Sequence, residues 1–346
     1  MKNFSFKDLK LPVFQAPMAG GITNPKLVST VANFGGVGGL GFAYSSPENI
    51  EKTIRDTKEL TEGYINANFF VFKEISLPDK ETQRSCIEAL TNLPFENKVE
   101  LELPSSPFYP SLEEQLIPVW ENPPSILTFH LGIPSNTIIE KAKSLGIQIG
   151  MTATNKKEAL KIQLSGADFI VAQGIEAGGH RGVFDLNQYD KKLKIPELTK
   201  DLRKHTSLPI VTAGGIMNGR DIRKSIKNGA TAVQMGTAFL CCPESGTSSI
   251  YKKYLLNHQY RQTTITHGFS GRPARGIENS FTDLMKNRPF LPFPAQNSLT
   301  GKLRKASELS NNGEFISLWA GENYAKIRNI PCADLLREIK FELDGT

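Results

Sequence analysis

The chain has 346 residues, of which 39% are hydrophobic and 22% charged, and its formal net charge is +6. This composition is typical of a globular protein, and the length fits either two domains or one large barrel. Lysines and arginines are scattered rather than interleaved with aromatic residues, so we expect no nucleic-acid partner. The positive surface instead favours an anionic substrate or a phosphate. No run of about 20 apolar residues is present, so we expect no membrane partner.

The four cysteines lack the spacing of a metal site or a disulfide framework. No spacing of His, Asp and Glu indicates a metal ligand set either, so we expect no metal. The first ten residues lack the apolar stretch of a signal peptide. Together these features predict a reduced, cytoplasmic protein.

Eight short apolar runs recur along the chain, and most are followed by an amphipathic segment. Unbroken apolar character is typical of parallel strands that are covered on both faces. Asn24 and Ser46 are predicted helix caps because a proline follows each of them at the first helical position. Eight such units predict a (β/α)₈ TIM barrel rather than an open doubly wound sheet. The predicted strands are 12–17, 37–42, 64–72, 125–132, 147–154, 168–174, 208–215 and 231–237.

Two stretches interrupt this alternation. Residues 73–124 form an insertion between the third and fourth strands, and about a hundred residues follow the eighth strand. We therefore assign 1–240 and 306–346 to the barrel, with 331–343 as its closing outer helix. Residues 241–305 are predicted to be a small helical excursion on the substrate side, over one mouth of the barrel.

Glycine-rich loops follow the seventh and eighth strands, where barrel enzymes often bind phosphate. They contain Gly214, Gly215, Gly236 and Thr237. Backbone N–H groups in such loops can bind phosphate oxygens, and the threonine adds a hydroxyl. The alternative is that these are only tight strand-to-helix turns, but two such turns on adjacent strands favour a phosphate site.

Amide side chains occur near the strand ends, at Gln15, Asn68, Gln173 and Gln234. Amides that face a barrel mouth suit the edge of a flat heterocycle such as a flavin. The alternative for each is a hydrogen bond to neighbouring backbone.

His180 is the predicted catalytic residue because it lies in the glycine-rich loop after the sixth strand. An imidazole there can transfer a proton near neutral pH, or stabilise an anion when it is protonated. The remaining histidines are interpreted as structural: His130 on a strand, His205 and His258 on helices, and His267 in a loop.

Five motifs together resemble the nitronate monooxygenase family of class I, formerly called 2-nitropropane dioxygenase. They are QAPMAGG (15–21), VAQGIEAGGHRG (171–182), TAGGIMNGR (212–220), VQMGTAFL (233–240) and FSGRPARG (269–276), and the tail WAGENYA (319–325) also fits. The resemblance implies a barrel that holds one non-covalent FMN. It places the FMN-contacting positions at Met18, through its backbone, and at Asn68, Gln173, Gly178, Gly215, Gln234, Met235, Gly236 and Thr237.

The same resemblance places His180 at the family's catalytic histidine. It implies oxidation of alkyl nitronates by O₂ to a carbonyl compound and nitrite, with electron transfer from the nitronate to FMN, and it suggests detoxification of propionate 3-nitronate. His180 would hold the anionic substrate or deprotonate a neutral nitroalkane. The oligomeric state is left open, with a homodimer as one option.

Three other functions compete with this interpretation. An FMN- and NAD(P)H-dependent enoyl-acyl-carrier-protein reductase resembles this family and shares the A-G-G-H segment. A barrel that only binds FMN or a phosphorylated ligand would need no titrating group in the loop, and a sugar-phosphate isomerase would need no flavin-facing amides. Arg181 after the histidine and the two C-terminal motifs favour the monooxygenase.

Overall fold

The protein is described by a computed structural model, which covers residues 3–72, 74–96, 99–103, 105–257 and 261–345. Eight parallel strands form a closed barrel, in which the last barrel strand pairs with the first. The predicted TIM barrel is therefore confirmed, and each predicted apolar run contains one barrel strand. The strands are β1 Val13–Gln15, β2 Val37–Gly41, β3 Tyr64–Phe70, β4 Ile126–His130, β5 Gln148–Ala153, β6 Phe169–Gln173, β7 Gly179–His180, β8 Ile210–Ala213, β9 Ala232–Met235, β10 Thr263–Thr266 and β11 Ala274–Ile277. All except β7, β10 and β11 belong to the barrel.

Helices surround the barrel, and the predicted caps begin two of them. The side chains of Asn24 and Ser46 accept hydrogen bonds from backbone N–H groups in the first turns of the helices that follow them. The last helix closes the ring, because the carboxylate of Glu342 accepts a hydrogen bond from Gly219 N at 2.8 Å. The helices are α1 Pro25–Asn33, α2 Pro47–Leu60, α3 Lys80–Thr91, α4 Leu112–Glu121, α5 Asn136–Ser144, α6 Lys156–Leu164, α7 Ile195–His205, α8 Gly219–Lys227, α9 Ser249–Leu256, α10 Ser280–Leu284, α11 Ala295–Leu299, α12 Gly301–Leu309 and α13 Cys332–Asp344.

The insertion and the segment after β9 pack together outside the barrel. Cys86 and Leu90 of α3 share one apolar cluster with Phe269, Phe281 and Leu299. The part of the segment predicted as helical contains α9 to α11 and the start of α12, and it also contributes strands β10 and β11. Helix α12 runs across position 305, where the sequence placed the return to the barrel.

A second, three-stranded sheet joins this outer segment to the loop after β6. Strand β11 pairs antiparallel with both β10 and the two-residue β7, with Ala274 opposite His180 and Arg275 opposite Gly179. The loop that carries the histidine is therefore fixed by main-chain pairing to a segment about a hundred residues further along the chain.

One end of the barrel is closed by aromatic side chains. Phe4 and Phe6 from the N-terminal segment pack against Phe14 and Phe169 inside the barrel, with ring centroids 5.6–5.9 Å apart across this contact. Because this plug fills the N-terminal ends of the strands, the open mouth lies at their C-terminal ends. Within the described ranges, no helix combines the length and the apolar character needed to cross a bilayer.

Candidate active site

A cavity of about 570 Å³ lies at the C-terminal ends of the barrel strands, under the outer segment. It brings together residues that are widely separated in the chain and that were predicted from separate motifs. The predicted site residues that line it are Met18, Asn68, Gln173, Gly178, His180, Gly214, Gly215, Gln234, Gly236 and Thr237.

Two of the predicted residues face elsewhere. The side chain of Met235 is buried in the apolar layer between the barrel and its helices, and its carbonyl accepts a hydrogen bond from Ala16 N at 2.8 Å. Gln15 is fully buried, and its Oε1 accepts a hydrogen bond from Gly39 N at 3.0 Å. For Gln15 the backbone-bonding alternative is therefore correct, and Met235 can reach a ligand in the cavity only through its backbone.

The imidazole of His180 is enclosed by three aromatic side chains. Its ring centroid lies 5.7 Å from that of Phe70, 5.5 Å from Phe293 and 5.7 Å from Trp319. Its Nε2 atom is buried and has no hydrogen-bond partner among the described residues. A buried polar atom without a partner is rare and is a sign of a ligand position.

The main chain around His180 is held by neighbouring polar side chains. Gln173 Nε2 donates to the carbonyl of His180 at 2.9 Å, and Gln173 Oε1 accepts from Gly182 N at 2.7 Å. The guanidinium of Arg181 donates to both carboxylate oxygens of Asp190, at 2.8 and 3.0 Å. Gln173, predicted as a flavin contact, therefore orders the histidine loop.

His130 was interpreted as a structural residue, yet it lines the cavity beside His180. Its Nε2 lies 3.1 Å from the carbonyl oxygen of His180, and its Nδ1 lies 2.9 Å from Thr152 Oγ1. Because a carbonyl oxygen only accepts, the His130 proton is on Nε2, and Nδ1 accepts from the threonine hydroxyl. His130 is thus a neutral donor that positions the backbone of the candidate catalytic residue. His258 lies outside the described residues.

Both cavity histidines are electrically neutral at physiological pH. Burial is the main reason that the pKa of His180 falls from 6.5 to about 3, and His130 and nearby arginines lower it further. The pKa of His130 falls to about 4, again mainly through burial. The imidazolium form of His180, one of the two forms expected from the sequence, is therefore disfavoured before an anion binds.

Backbone N–H groups converge on one side of the cavity. Gly178, Gly215 and Thr237 contribute N–H groups that have no acceptor in the part of the chain that the structure describes. Gly321 lies beside them: a Cβ on it would be 3.4 Å from Gly178 N and 3.6 Å from Gly215 N. Several unpaired N–H groups around a small space form an anion site.

The segment 320–323 packs against the loops on this side of the cavity, although the sequence indicates no role for it beyond the tail motif. Gly321 N donates to Thr237 Oγ1 at 3.0 Å, and Asn323 Nδ2 donates to the carbonyl of Gly215 at 2.6 Å. Because Thr237 Oγ1 is the acceptor in this bond, its hydroxyl hydrogen remains available for a ligand.

An imidazole without a partner and an anion site in one barrel mouth are the features of a barrel enzyme that handles a phosphorylated ligand. The family model of nitronate monooxygenase matches residues 3–342. A nitronate monooxygenase of Paraburkholderia phytofirmans is 38% identical over 96% of this chain and 92% of its own length. The chain belongs to the nitronate monooxygenase family, and it is an oxidoreductase that acts on nitronates.

Solved structures are similar over nearly the whole chain. The nitroalkane oxidase from Streptomyces ansochromogenes has a TM-score of 0.91 and 30% identity, covering 98% of this chain and 97% of its own. FabK from Thermotoga maritima has a TM-score of 0.75 and 23% identity, covering 98% of this chain and 94% of its own. The second likeness extends to the fold alone.

Proposed function

We infer that this protein uses FMN to oxidise alkyl nitronates with O₂, and that the products are a carbonyl compound and nitrite. The observation that carries this conclusion is the shared cavity. The unpaired Nε2 of His180 and the unpaired N–H groups at Gly178, Gly215 and Thr237 face the same space.

The residues of the cavity fit FMN. Its phosphate would lie on the N–H groups of Gly178, Gly215 and Thr237, and the volume of about 570 Å³ is in the ordinary range for a cofactor site. The amide of Gln234 makes no hydrogen bond to any described residue and faces the cavity, so it is free for the edge of a flat ring. Bound FMN supplies the electron acceptor for nitronate oxidation. Met18, Asn68, Gly214 and Gly236 line the same space.

The proposed role of His180 is to bind the substrate. A neutral imidazole can donate one hydrogen bond to a nitronate oxygen, and an anion bound beside it raises the pKa of the imidazole again. With a pKa of about 3 before substrate binds, the imidazole is a weak base for a neutral nitroalkane. The nitronate, which is already ionised, is therefore the better substrate.

Three further assignments belong to the same proposal. The barrel, 1–240 with 306–346, would hold FMN, and 241–305 would contribute the substrate side. The four cysteines are free and buried, which suits a reducing compartment, so we propose the cytoplasm as the location. A homodimer is retained as the proposed assembly for testing by light scattering.

One preparation tests the function. The purified protein should be yellow and release FMN on denaturation, and ethyl nitronate should drive O₂ uptake and nitrite formation without oxidation of NADH. NADH oxidation with an enoyl thioester would instead identify a reductase. A colourless protein would contradict the assignment of a flavin cofactor. In His180→Asn the FMN content should be unchanged and turnover should fall by about 100-fold, because removal of a site donor typically costs about 3 kcal/mol of barrier.

A further inference from the structure

A second unsatisfied polar group faces the cavity, on helix α12. The Nη2 atom of Arg304 donates to the carbonyl and to Oδ1 of Asn297, at 2.6 and 3.1 Å. Its Nε is buried and has no acceptor among the described residues. Among the described residues, the groups that act electrostatically on this guanidinium are Tyr44 and Tyr109, and neither of them is a carboxylate. Buried charges are normally paired because an isolated one is costly.

Two tyrosines flank this guanidinium and also line the cavity. The rings of Tyr44 and Tyr109 are 4.4 Å apart between centroids, and Tyr109 and Arg304 both hydrogen-bond to Asn297. The Tyr44 hydroxyl is buried and has no partner among the described residues. The Tyr109 hydroxyl accepts a hydrogen bond from Asn297 Nδ2, so its own hydrogen is free. The cluster therefore presents one cation, whose Nε has no acceptor among the described residues, and two hydroxyl donors.

This donor set is the one that a planar oxyanion requires. A guanidinium fork matches two oxygens on one planar centre, and hydrogen bonds between charged partners are about twice as strong as neutral ones. A nitronate carries its negative charge on two oxygens of one planar nitrogen. Arg304 and His180 line the same cavity, and the charge of Arg304 contributes to the lowered pKa of the His180 imidazole.

We propose that Arg304, with the hydroxyls of Tyr44 and Tyr109, is the substrate-binding cation that neutralises the nitronate, while His180 contributes a neutral hydrogen bond. The inference rests on the proposed function, since it assumes a nitronate in this cavity. It assigns the recognition of charge to helix α12 of the outer segment rather than to the histidine loop.

The kinetic test compares Arg304→Gln and Arg304→Lys with the wild-type holoenzyme on ethyl nitronate. Loss of a hydrogen bond to a charged group costs about 10- to 100-fold in affinity, so KM should rise by that factor in Arg304→Gln. Arg304→Lys keeps the positive charge but lacks the planar guanidinium, so its KM should lie between those of wild type and Arg304→Gln. The matched control is Lys302→Gln, which removes an exposed positive charge from the same helix and should leave KM unchanged. FMN content is measured for each variant, so that a folding defect is recognised.

A binding test does not depend on turnover. Calorimetric titration of the holoenzyme with propionate, an unreactive planar anion of similar shape, and with neutral nitroethane separates charge recognition from shape. Arg304→Gln should weaken propionate by about 10- to 100-fold and nitroethane by less than about threefold. Tyr44→Phe should weaken propionate by about threefold to tenfold and provides a second test if Arg304→Gln does not fold.

The outcomes separate the two proposals. If Arg304→Gln lost equal affinity for propionate and nitroethane, or kept the KM of wild type, the role of Arg304 would be overturned. Propionate binding that depends on Arg304 in a protein that does not oxidise ethyl nitronate would retain the anion site and reject the proposed function.

Discussion

Replacement of Gly178 by alanine should selectively weaken FMN binding. A Cβ at this position would lie 2.6 Å from both the carbonyl carbon of Ala320 and the nitrogen of Gly321. Ordinary contacts between non-bonded heavy atoms are at about 3.5 Å, so the segment 320–321 must move by about 0.9 Å. A shift of this size breaks the 3.0 Å hydrogen bond from Gly321 N to Thr237 Oγ1 and opens the anion site.

Overpacking of this kind typically costs about 1–3 kcal/mol. The dissociation constant for FMN should therefore rise by about 10- to 100-fold, measured by quenching of flavin fluorescence during titration of the apoprotein.

The neighbouring glycine provides the control. Gly179 has a φ of +76°, but a Cβ added to it would meet no atom within 4 Å, so Gly179→Ala introduces backbone strain of about 1–2 kcal/mol without a clash. It should lower the melting temperature and leave FMN affinity within about threefold of wild type. If Gly178→Ala bound FMN as tightly as wild type, or if both variants lost equal FMN affinity, the assignment of the anion site to these N–H groups would be refuted.

Two further predictions concern the protonation of the histidines, and a third concerns the Thr237 hydroxyl at the proposed phosphate site. Because the pKa of His180 is lowered to about 3, kcat/KM for a nitronate should show no step near pH 6.5, as measured from initial rates; a step there would show that the histidine titrates normally. The pKa of His130 is about 4 when folded and 6.5 when unfolded, so the stability that depends on its neutral form is complete above pH 6.5 and is lost as the pH falls towards 4. That difference corresponds to about 3 kcal/mol, so thermal unfolding of His130→Gln should be less sensitive to acid than that of wild type, and parallel pH curves would contradict this. Thr237→Val loses the hydroxyl that binds Gly321 N and should weaken FMN by about tenfold, whereas Thr237→Ser should restore most of the affinity.

The barrel could be predicted because its signals are local. Each strand is an apolar run of ordinary length, and the caps Asn24 and Ser46 lie directly before their helices. Local periodicity also indicates which side chains face the site. Alternate residues of a strand face opposite sides, so Gln234 and Met235 cannot both point into the barrel. The same alternation places Gln15 on the face opposite Phe14, which lies in the interior.

The rest of the site depends on contacts between distant segments. The pairing of His180 with Ala274 and the hydrogen bond from Asn297 to Tyr109 join residues about a hundred or more positions apart. No local pattern indicates such contacts. Gly178 illustrates the same limit: the sequence does not indicate that a Cβ at this position would meet Ala320 and Gly321.

The antiparallel pairing of β7 with β11 joins two parts of the molecule that contribute different groups to the cavity. The barrel contributes the N–H groups after β8 and β9, and the outer segment contributes Arg304, Phe293 and the strand that fixes His180. A relative with a different outer segment would have new pocket walls and a repositioned imidazole. It would retain the N–H groups after β8 and β9 that are proposed to bind the cofactor. Variation in substrate preference within such a lineage should therefore be more frequent in the outer segment, and at Tyr44 and Tyr109 beside it, than in the loops after β8 and β9.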